Sequence, residues 1–325
     1  LYGAADAHII ERFADAFSLG YARYLDFQHL AQTNQALSDA NNELFRVNRS
    51  LQQANEQLES ANREIQEANS ERDRAREQLV RELEEELQVA HDLQMGLMPT
   101  ESPDIEGLDI AGRCLTANHV GGDCFQYFQR DGVLLVCLAD VTGHAMEAAI
   151  PVVMFDGILK SQIELGDSLE QLFGRLNRTL CDTLDSRTFV CFTMAEIDLV
   201  SRRLHLANGG CPYTYHFRAA SGDVAELQVD AYPLGVRANS VYASVEVSLE
   251  PGDYLVFCSD GIIEAENRSG ELFGFERTAD AIRNGCRQGV SSEALVQQVI
   301  AAAKGFAGET AQGDDQTIVA VRVER

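Results

Sequence analysis

Four aspartates, each set in a short turn beside an apolar run, are the residues of this chain best suited to chemistry. Asp123 follows Gly121-Gly122, and Asp140 opens Asp140-Val141-Thr142-Gly143-His144. Asp260 sits in Ser259-Asp260-Gly261 and Asp314 in Gly313-Asp314-Asp315. Hard cations such as Mg²⁺ and Mn²⁺ take oxygen ligands, mostly carboxylate, carbonyl and water. Two such ions can generate a hydroxide and clamp a phosphoryl group. Taken singly, each aspartate is an ordinary turn former or helix cap. Four in this order, with Asp140-x-x-Gly143-His144 opening a helix, point to metal-assisted phosphoryl hydrolysis.

The elements that must position them follow from hydrophobic period. Beyond Pro103, apolar and β-branched runs predict strands over 108–114, 133–139, 189–197, 203–207, 213–217, 241–249, 254–258 and 317–323. Turn signals at Ser221-Gly222-Asp223, Pro233-Leu234-Gly235 and Pro251-Gly252-Asp253 separate some of them. Helical patterns cover 146–165, 169–184, 276–284 and 291–303. This alternation predicts an α+β fold, an antiparallel β-sandwich flanked by helices. The run 133–139 ends at Asp140, 254–259 ends at Asp260, and Asp314 precedes the last strand, so the carboxylates can meet at one rim. Gly121-Gly122 lets the backbone approach an ion closely before Asp123.

Upstream lies a different pattern. Residues 28–97 contain no proline and no glycine before Gly96, and Leu30, Leu37, Leu44, Leu51, Leu58 and Ile65 recur every seven residues. Ala40, Ala54, Ala61, Ala68 and Ala75 keep the same period, with Val47 filling the gap, as do Asn34, Asn41, Asn48, Asn55, Asn62 and Asn69. Such a repeat predicts a long N-terminal coiled coil of about 100 Å. Leucine at a with alanine at d competes with leucine at d and asparagine at a. Val47 in the alanine series favours the first, and either seam is thin. Arg72 breaks the leucine series within residues 70–76, which reads as a stutter. Pro99 and Pro103 end the helix. His91-Asp92 invites a phospho-accepting histidine of a sensor kinase, but no glycine-rich nucleotide lid follows and the rest of the chain is β-rich.

Composition narrows the partners. The 325 residues are 45% apolar and carry 51 acidic against 26 basic groups, a net charge of −25. An acidic surface opposes phosphate backbones and anionic lipid, so no nucleic acid and no membrane partner is expected. No apolar stretch approaches the ~18 residues of a spanning helix, and no signal peptide is visible. The eight cysteines include no Cys-x-x-Cys pair and several lie inside apolar runs, which predicts buried free thiols and a cytoplasmic location. The chain begins at Leu1, so a piece of a longer protein is expected.

The stretch Ala90-His91-Asp92-Leu93-Gln94-Met95-Gly96-Leu97-Met98-Pro99 resembles the leading helix of SpoIIE/RsbU-type phosphatases, the bacterial branch of the metal-dependent protein phosphatase 2C class. Gly121-Gly122-Asp123 and Asp140-Val141-Thr142-Gly143-His144 with Ala148-Ala149 look like that domain's first two metal motifs. Asn208-Gly209-Gly210 with Pro212 and Pro233-Leu234-Gly235 look like its middle. Ser259-Asp260-Gly261-Ile262-Ile263-Glu264-Ala265 and Gly313-Asp314-Asp315-Gln316-Thr317 look like its last two. The likeness runs from about Val89 to the C-terminus. Residues 11–26 are similar to the closing helix of a GAF-type sensor domain.

The resemblance implies three segments: 1–27 as a sensor-derived helix, 28–98 as a coiled-coil signalling linker, and 99–325 as the phosphatase domain. It implies two Mn²⁺ or Mg²⁺ ions, with Asp140 bridging them, the Val141 carbonyl completing one, Asp260 and Asp314 holding the second, and Asp123 orienting water or binding directly. It also implies hydrolysis of phosphoserine or phosphothreonine on a partner protein, an anti-sigma-factor antagonist, by a homodimer joined through the coil. An upstream sensor would control it by moving the helix that begins near His144. Two departures stand out. Gln126 occupies a place where many relatives carry a second aspartate, and Ala145 stands where glycine is usual. Loss of that outer carboxylate motivates the alternative of a degenerate, phosphoprotein-binding module. His144 is expected to be structural or helix-capping rather than a general acid.

Overall fold

The computed structural model describes residues 3–143 and 146–324. A single helix, α1 (Ala4–Met95), runs through the whole heptad region without interruption at residues 70–76. Along it, Gln35, Gln52, Gln78 and Gln88 each donate to an acid four residues on, the pairing that helix geometry permits. The heptad residues of α1 form an uncovered apolar stripe: Leu30, Leu37, Leu44, Leu51, Leu58 and Ile65 are all more than half exposed. Two compact units divide inside α1, the first ending at Glu82 and the second beginning at Leu83.

The second unit holds ten strands: β1 (Leu108–Leu115), β2 (Asp123–Arg130), β3 (Val133–Val141), β4 (Val190–Asp198), β5 (Arg203–Gly209), β6 (Thr214–Arg218), β7 (Asp223–Leu227), β8 (Ser244–Ser248), β9 (Tyr254–Cys258) and β10 (Gln316–Val323). They form two antiparallel five-stranded sheets, ordered β1-β10-β9-β6-β7 and β2-β3-β4-β5-β8. Helices α2 (Met146–Ile163) and α3 (Leu169–Thr183) cover the second sheet; α5 (Gly274–Arg287) and α6 (Ser292–Ala307) cover the first, and the short α4 (Asp260–Ile263) follows β9. The expected helix-flanked antiparallel sandwich is therefore the observed fold.

Alternation along the central strands explains the layering. In β10, Val319 and Val321 join the core shared with the other sheet, while Ile318 and Ala320 pack with α5 and α6. A strand covered on both faces needs apolar residues at every position, as β3 shows from Leu134 to Ala139. Phe192 in β4 lies 5.1 Å from Phe155 of α2 and 4.9 Å from Phe173 of α3, anchoring both helices to the sheet.

Two strands were not foreseen. β2 begins at Asp123 itself, and its mixed Asp-Cys-Phe-Gln-Tyr-Phe-Gln-Arg pattern has no clean period. β7 is only five residues long and contains two acids, which strands normally disfavour. The expected run 241–249 shortens to β8, leaving Val241 89% exposed.

Asp253, in the turn before β9, is buried; it accepts hydrogen bonds from the backbone N–H of Ala219 and Glu250 and lies 3.0 Å from His216 Nε2. Burial pushes its carboxyl pKa up, but the bonds from His216 and the two amides outweigh this and hold it below the ordinary value. A depressed carboxylate stabilises fully above the unfolded pKa of about 4 and loses that stabilisation as pH falls through the folded pKa. Asp253→Ala is expected to cost about 2 kcal/mol at pH 7. Urea melts at pH 7 and pH 3 should show that gap narrowing in acid.

Candidate metal centre

Asp140 stands at the end of β3, directly opposite Asp123 on β2 and Cys191 on β4. Directly opposed residues share one face of a sheet, so the two aspartates are juxtaposed like charges, an arrangement that destabilises a strand pair. The backbone is stitched at this point. Val141 N donates to Gly122 O at 2.9 Å, and Thr142 N and Oγ1 both donate to Phe189 O at 3.0 Å.

The other sheet contributes from its own centre. Asp260 opens α4 immediately after β9, and Glu264 N closes that turn onto Asp260 O at 2.7 Å. Asp314 precedes β10, and its Oδ1 accepts from Asp315 N at 2.8 Å. Ser259 ties these two segments: its hydroxyl donates to Asp315 O at 3.1 Å and accepts from Thr317 N at 2.9 Å.

Glycines permit the close approach. A Cβ on Gly122 would lie 2.4 Å from Val141 O, and one on Gly261 would lie 2.1 Å from Asp315 O. Neither glycine has a positive φ, so the requirement is space rather than backbone conformation.

The carboxylates of the two sheets act on one another. Burial, then repulsion from Asp260, Asp314, Asp315 and Glu264, push Asp140 up to about 7. Burial, then Asp314 and Glu264, push Asp260 up to about 6. Asp123 is 3% exposed, and burial followed by Asp140 raises it well above the ordinary carboxylate range. Its Oδ2 has no hydrogen-bond partner. The four charged neighbours acting most strongly on Asp140 are all carboxylates.

Among the described residues, no three His, Cys, Asp or Glu side chains are arranged to cage one ion. The donor set nevertheless fits a hard cation. All its members are oxygens, a buried carboxylate oxygen is orphaned, and the mutual repulsion is what a divalent ion would relieve. Mg²⁺ keeps several waters and is commonly held by one or two carboxylates rather than by an all-protein cage.

All four expected aspartates thus act on one rim, where Val141 also sits. His144 and Ala145 lie outside the described residues. Gln126 is three positions after Asp123 and therefore on the opposite face of β2. Its Nε2 donates to Leu97 O at 2.6 Å and to Asp156 Oδ1 at 2.8 Å. The substitution there tethers the end of the α1 segment instead of removing a carboxylate from the aspartate face.

Asp315 is the functional residue that sequence reasoning passed over. Its buried carboxylate accepts from Ala117 N at 2.8 Å, Gly122 N at 2.6 Å and Asp123 N at 3.4 Å, pinning the loop that carries Asp123. Its signal was the Asp-Asp doublet, which does not say which member turns inward. Cys191 lies beside Asp140, and burial, then Asp140, push its thiol up to about 12, which disfavours the thiolate a nucleophile needs. All eight cysteines are free, six of them buried. A cleft of ≈ 570 Å³ opens beside Asp314, Gly261 and Glu264, with Lys304 on its wall.

Comparisons with known proteins agree on the fold. The family model described as "Stage II sporulation protein E (SpoIIE)" matches residues 130–324, more than half of the chain; Asp140, Asp260 and Asp314 lie inside the match and Asp123 just before it. The phosphoserine phosphatase RsbU of Bacillus subtilis (strain 168) is 25% identical over 192 residues, covering 59% of this chain and 57% of that protein. The SiaA-PP2C domain of Pseudomonas aeruginosa superposes with a TM-score of 0.66 at 23% identity, over 75% of this chain and 98% of that one. RsbX, solved in complex with magnesium, does so with a TM-score of 0.53 at 15% identity, over 69% and 99%. The chain spans about half the length of the curated relatives it matches.

The carboxylate repulsion can be measured without substrate. Burial first, and then the neighbouring carboxylates, raise Asp140 to about 7, a shift on the order of 4 kcal/mol in which repulsion is one part, so the charged form it carries at pH 8 is disfavoured. In EDTA, Asp140→Asn should melt about 5 °C or more above the wild type. Millimolar Mn²⁺ should raise the wild-type melting temperature and leave the variant's nearly unmoved.

Proposed function

This chain belongs to the SpoIIE family, and on that premise we propose that it is a metal-dependent protein-serine/threonine phosphatase. The observation that carries the reading is the meeting of Asp123 and Asp140 from one sheet with Asp260 and Asp314 from the other, under repulsion that no neighbouring cation offsets among the strongest influences. In it, Asp123, Asp140, the Val141 carbonyl, Asp260 and Asp314 would hold two Mn²⁺ or Mg²⁺ ions. Such ions supply Lewis acidity, acidifying water and offsetting the charge of a phosphoryl group.

The chain's own residues provide position and exclusion. Asp140 would be the shared carboxylate, since it lies opposite Asp123 on the neighbouring strand and feels Asp260 and Asp314 from the other sheet. Asp315 and Ser259 fix the two backbones from which the acids project. The cleft beside Asp314 has the volume to admit a phosphorylated side chain with its neighbours.

The substrate in this reading is a phosphorylated anti-sigma-factor antagonist, in keeping with likeness to the phosphoserine phosphatase RsbU of Bacillus subtilis. The three-segment division at 27/28 and 98/99, the cytoplasmic location and the upstream sensor belong to the same reading. The uncovered heptad stripe supports a homodimer: a second copy of α1 is the partner whose stripe has the same period. The binding-module alternative loses its motive, since Gln126 faces away from the aspartates.

Turnover of p-nitrophenyl phosphate tests the chemistry. Mn²⁺ should switch on hydrolysis by the wild type, and Asp140→Ala should reduce it by at least a hundredfold; absence of metal-dependent turnover would leave a binding protein. For the rod, sedimentation should give a dimer for the full chain and a smaller species for a chain starting at Leu83. Equal activity of the two at every concentration would exclude control through the coil.

A further inference from the structure

The Asp123 loop is held from two sides. Asp315 takes the amides of Ala117, Gly122 and Asp123, but Gly121, between them, is bound by something else. Gln94, in the last turn of α1, donates from Nε2 to Gly121 O at 2.6 Å and accepts from Gly121 N at 2.9 Å. Gln94 is 4% exposed although it stands on a helix whose other polar residues are mostly exposed. A primary amide is the side chain that can satisfy both groups of one peptide residue at once. The position is tight as well: a Cβ on Gly121 would sit 1.9 Å from Asp315 Oδ2, so the loop backbone is pressed between the two side chains.

We infer that Gln94 is a positioning residue for the metal centre, acting on Asp123 through the Gly121 peptide. This rests on the phosphatase reading and adds to it a residue outside the four aspartate motifs. The physical argument is direct. Asp123 faces Asp140 with one orphaned oxygen, and burial and Asp140 outweigh what Thr317 and Ser259 do to stabilise its charge, so its side chain does little to oppose the repulsion that drives the pair apart. Its position is set by its backbone, and the backbone two residues before it is clamped by Gln94. Without the clamp, both the N–H and the C=O of Gly121 are left unpaired in a buried loop, which then rearranges to find partners. The orientation of ligands by groups behind them is commonly worth 10–100-fold in metal affinity or activity.

Gln126 supplies the control, because it also fastens the end of this segment, through Leu97 O, without touching the Asp123 loop. Gln94→Leu and Gln126→Leu each remove a buried amide at the same helix end. The full chain carrying either substitution is compared with the wild type by four measurements: the urea midpoint, amide hydrogen exchange without metal, the Mn²⁺ concentration that half-saturates the thermal shift, and turnover of p-nitrophenyl phosphate. Gln94→Leu should speed exchange of the Gly121, Gly122 and Asp123 amides at least tenfold. It should raise half-saturating Mn²⁺ about 10–100-fold with little change in KM for the ester. Gln126→Leu should lower the urea midpoint without either effect. Equal shifts in Mn²⁺ requirement for the two variants would overturn the inference, since the effect would then be loss of helix docking. Faster exchange in Gln94→Leu with an unaltered Mn²⁺ requirement would also overturn it while leaving the phosphatase reading intact. A wild type without metal-dependent turnover would sink both.

Discussion

The structure turns on bringing like charges together at one rim, where Asp123 is buried, Asp140 and Asp260 are half-buried and Asp314 is exposed. Two carboxylates about 4 Å apart repel by roughly 4 kcal/mol in a medium of effective dielectric near 20, a large fraction of a domain's stability. Asp123 and Asp140 are nonetheless opposed on neighbouring strands, and Asp260 and Asp314 face them from the other sheet. Only a rigid frame can hold such a set. Here both sheets supply it, interior β3 with its edge neighbour β2 on one side and interior β9 and β10 on the other.

The acids of this protein divide into two kinds by what satisfies them. Asp315 takes three backbone amides, Asp253 two amides and a histidine, and Asp156 the amide of Gln126 and the ammonium of Lys160. Each of those is an internal fastener. Asp123, buried as deeply as any of them, keeps an oxygen without a partner. Buried polar atoms are normally paired, and an unpaired carboxylate oxygen among other carboxylates is one that a cation would satisfy. Acidity of the chain as a whole, by contrast, says little about the site, since much of it lies along the solvent-facing helix.

Much of this was legible in the residues. The seven-residue period of the leucines predicted a long helix, and α1 is unbroken even across Arg72. Continuous apolar runs ending in aspartate predicted β3 and β9, because a strand buried on both faces has no room for polar residues until it reaches the rim. β2 was missed for the converse reason: its residues meet different neighbours on its two faces, with Gln126 bonded to Asp156 and the end of the α1 segment while Asp123 faces Asp140. Gln126 read in sequence only as a place where many relatives carry an aspartate. Its chemistry depends on which face of β2 it occupies, and with β2 unrecognised that face had no meaning.

Local order settled the aspartates, the glycines beside them and the strands that carry them, because short-range period and turn chemistry act along the chain. Partnerships between distant segments were decided only by folding. Gln94 looks like any polar residue of an amphipathic helix until the chain returns at Gly121, and Asp315 looks like the lesser half of a doublet until Gly122 N lies 2.6 Å away. A hydrogen bond across 27 or 193 residues leaves no periodic trace in sequence, since it depends on where two backbones meet rather than on what either residue prefers.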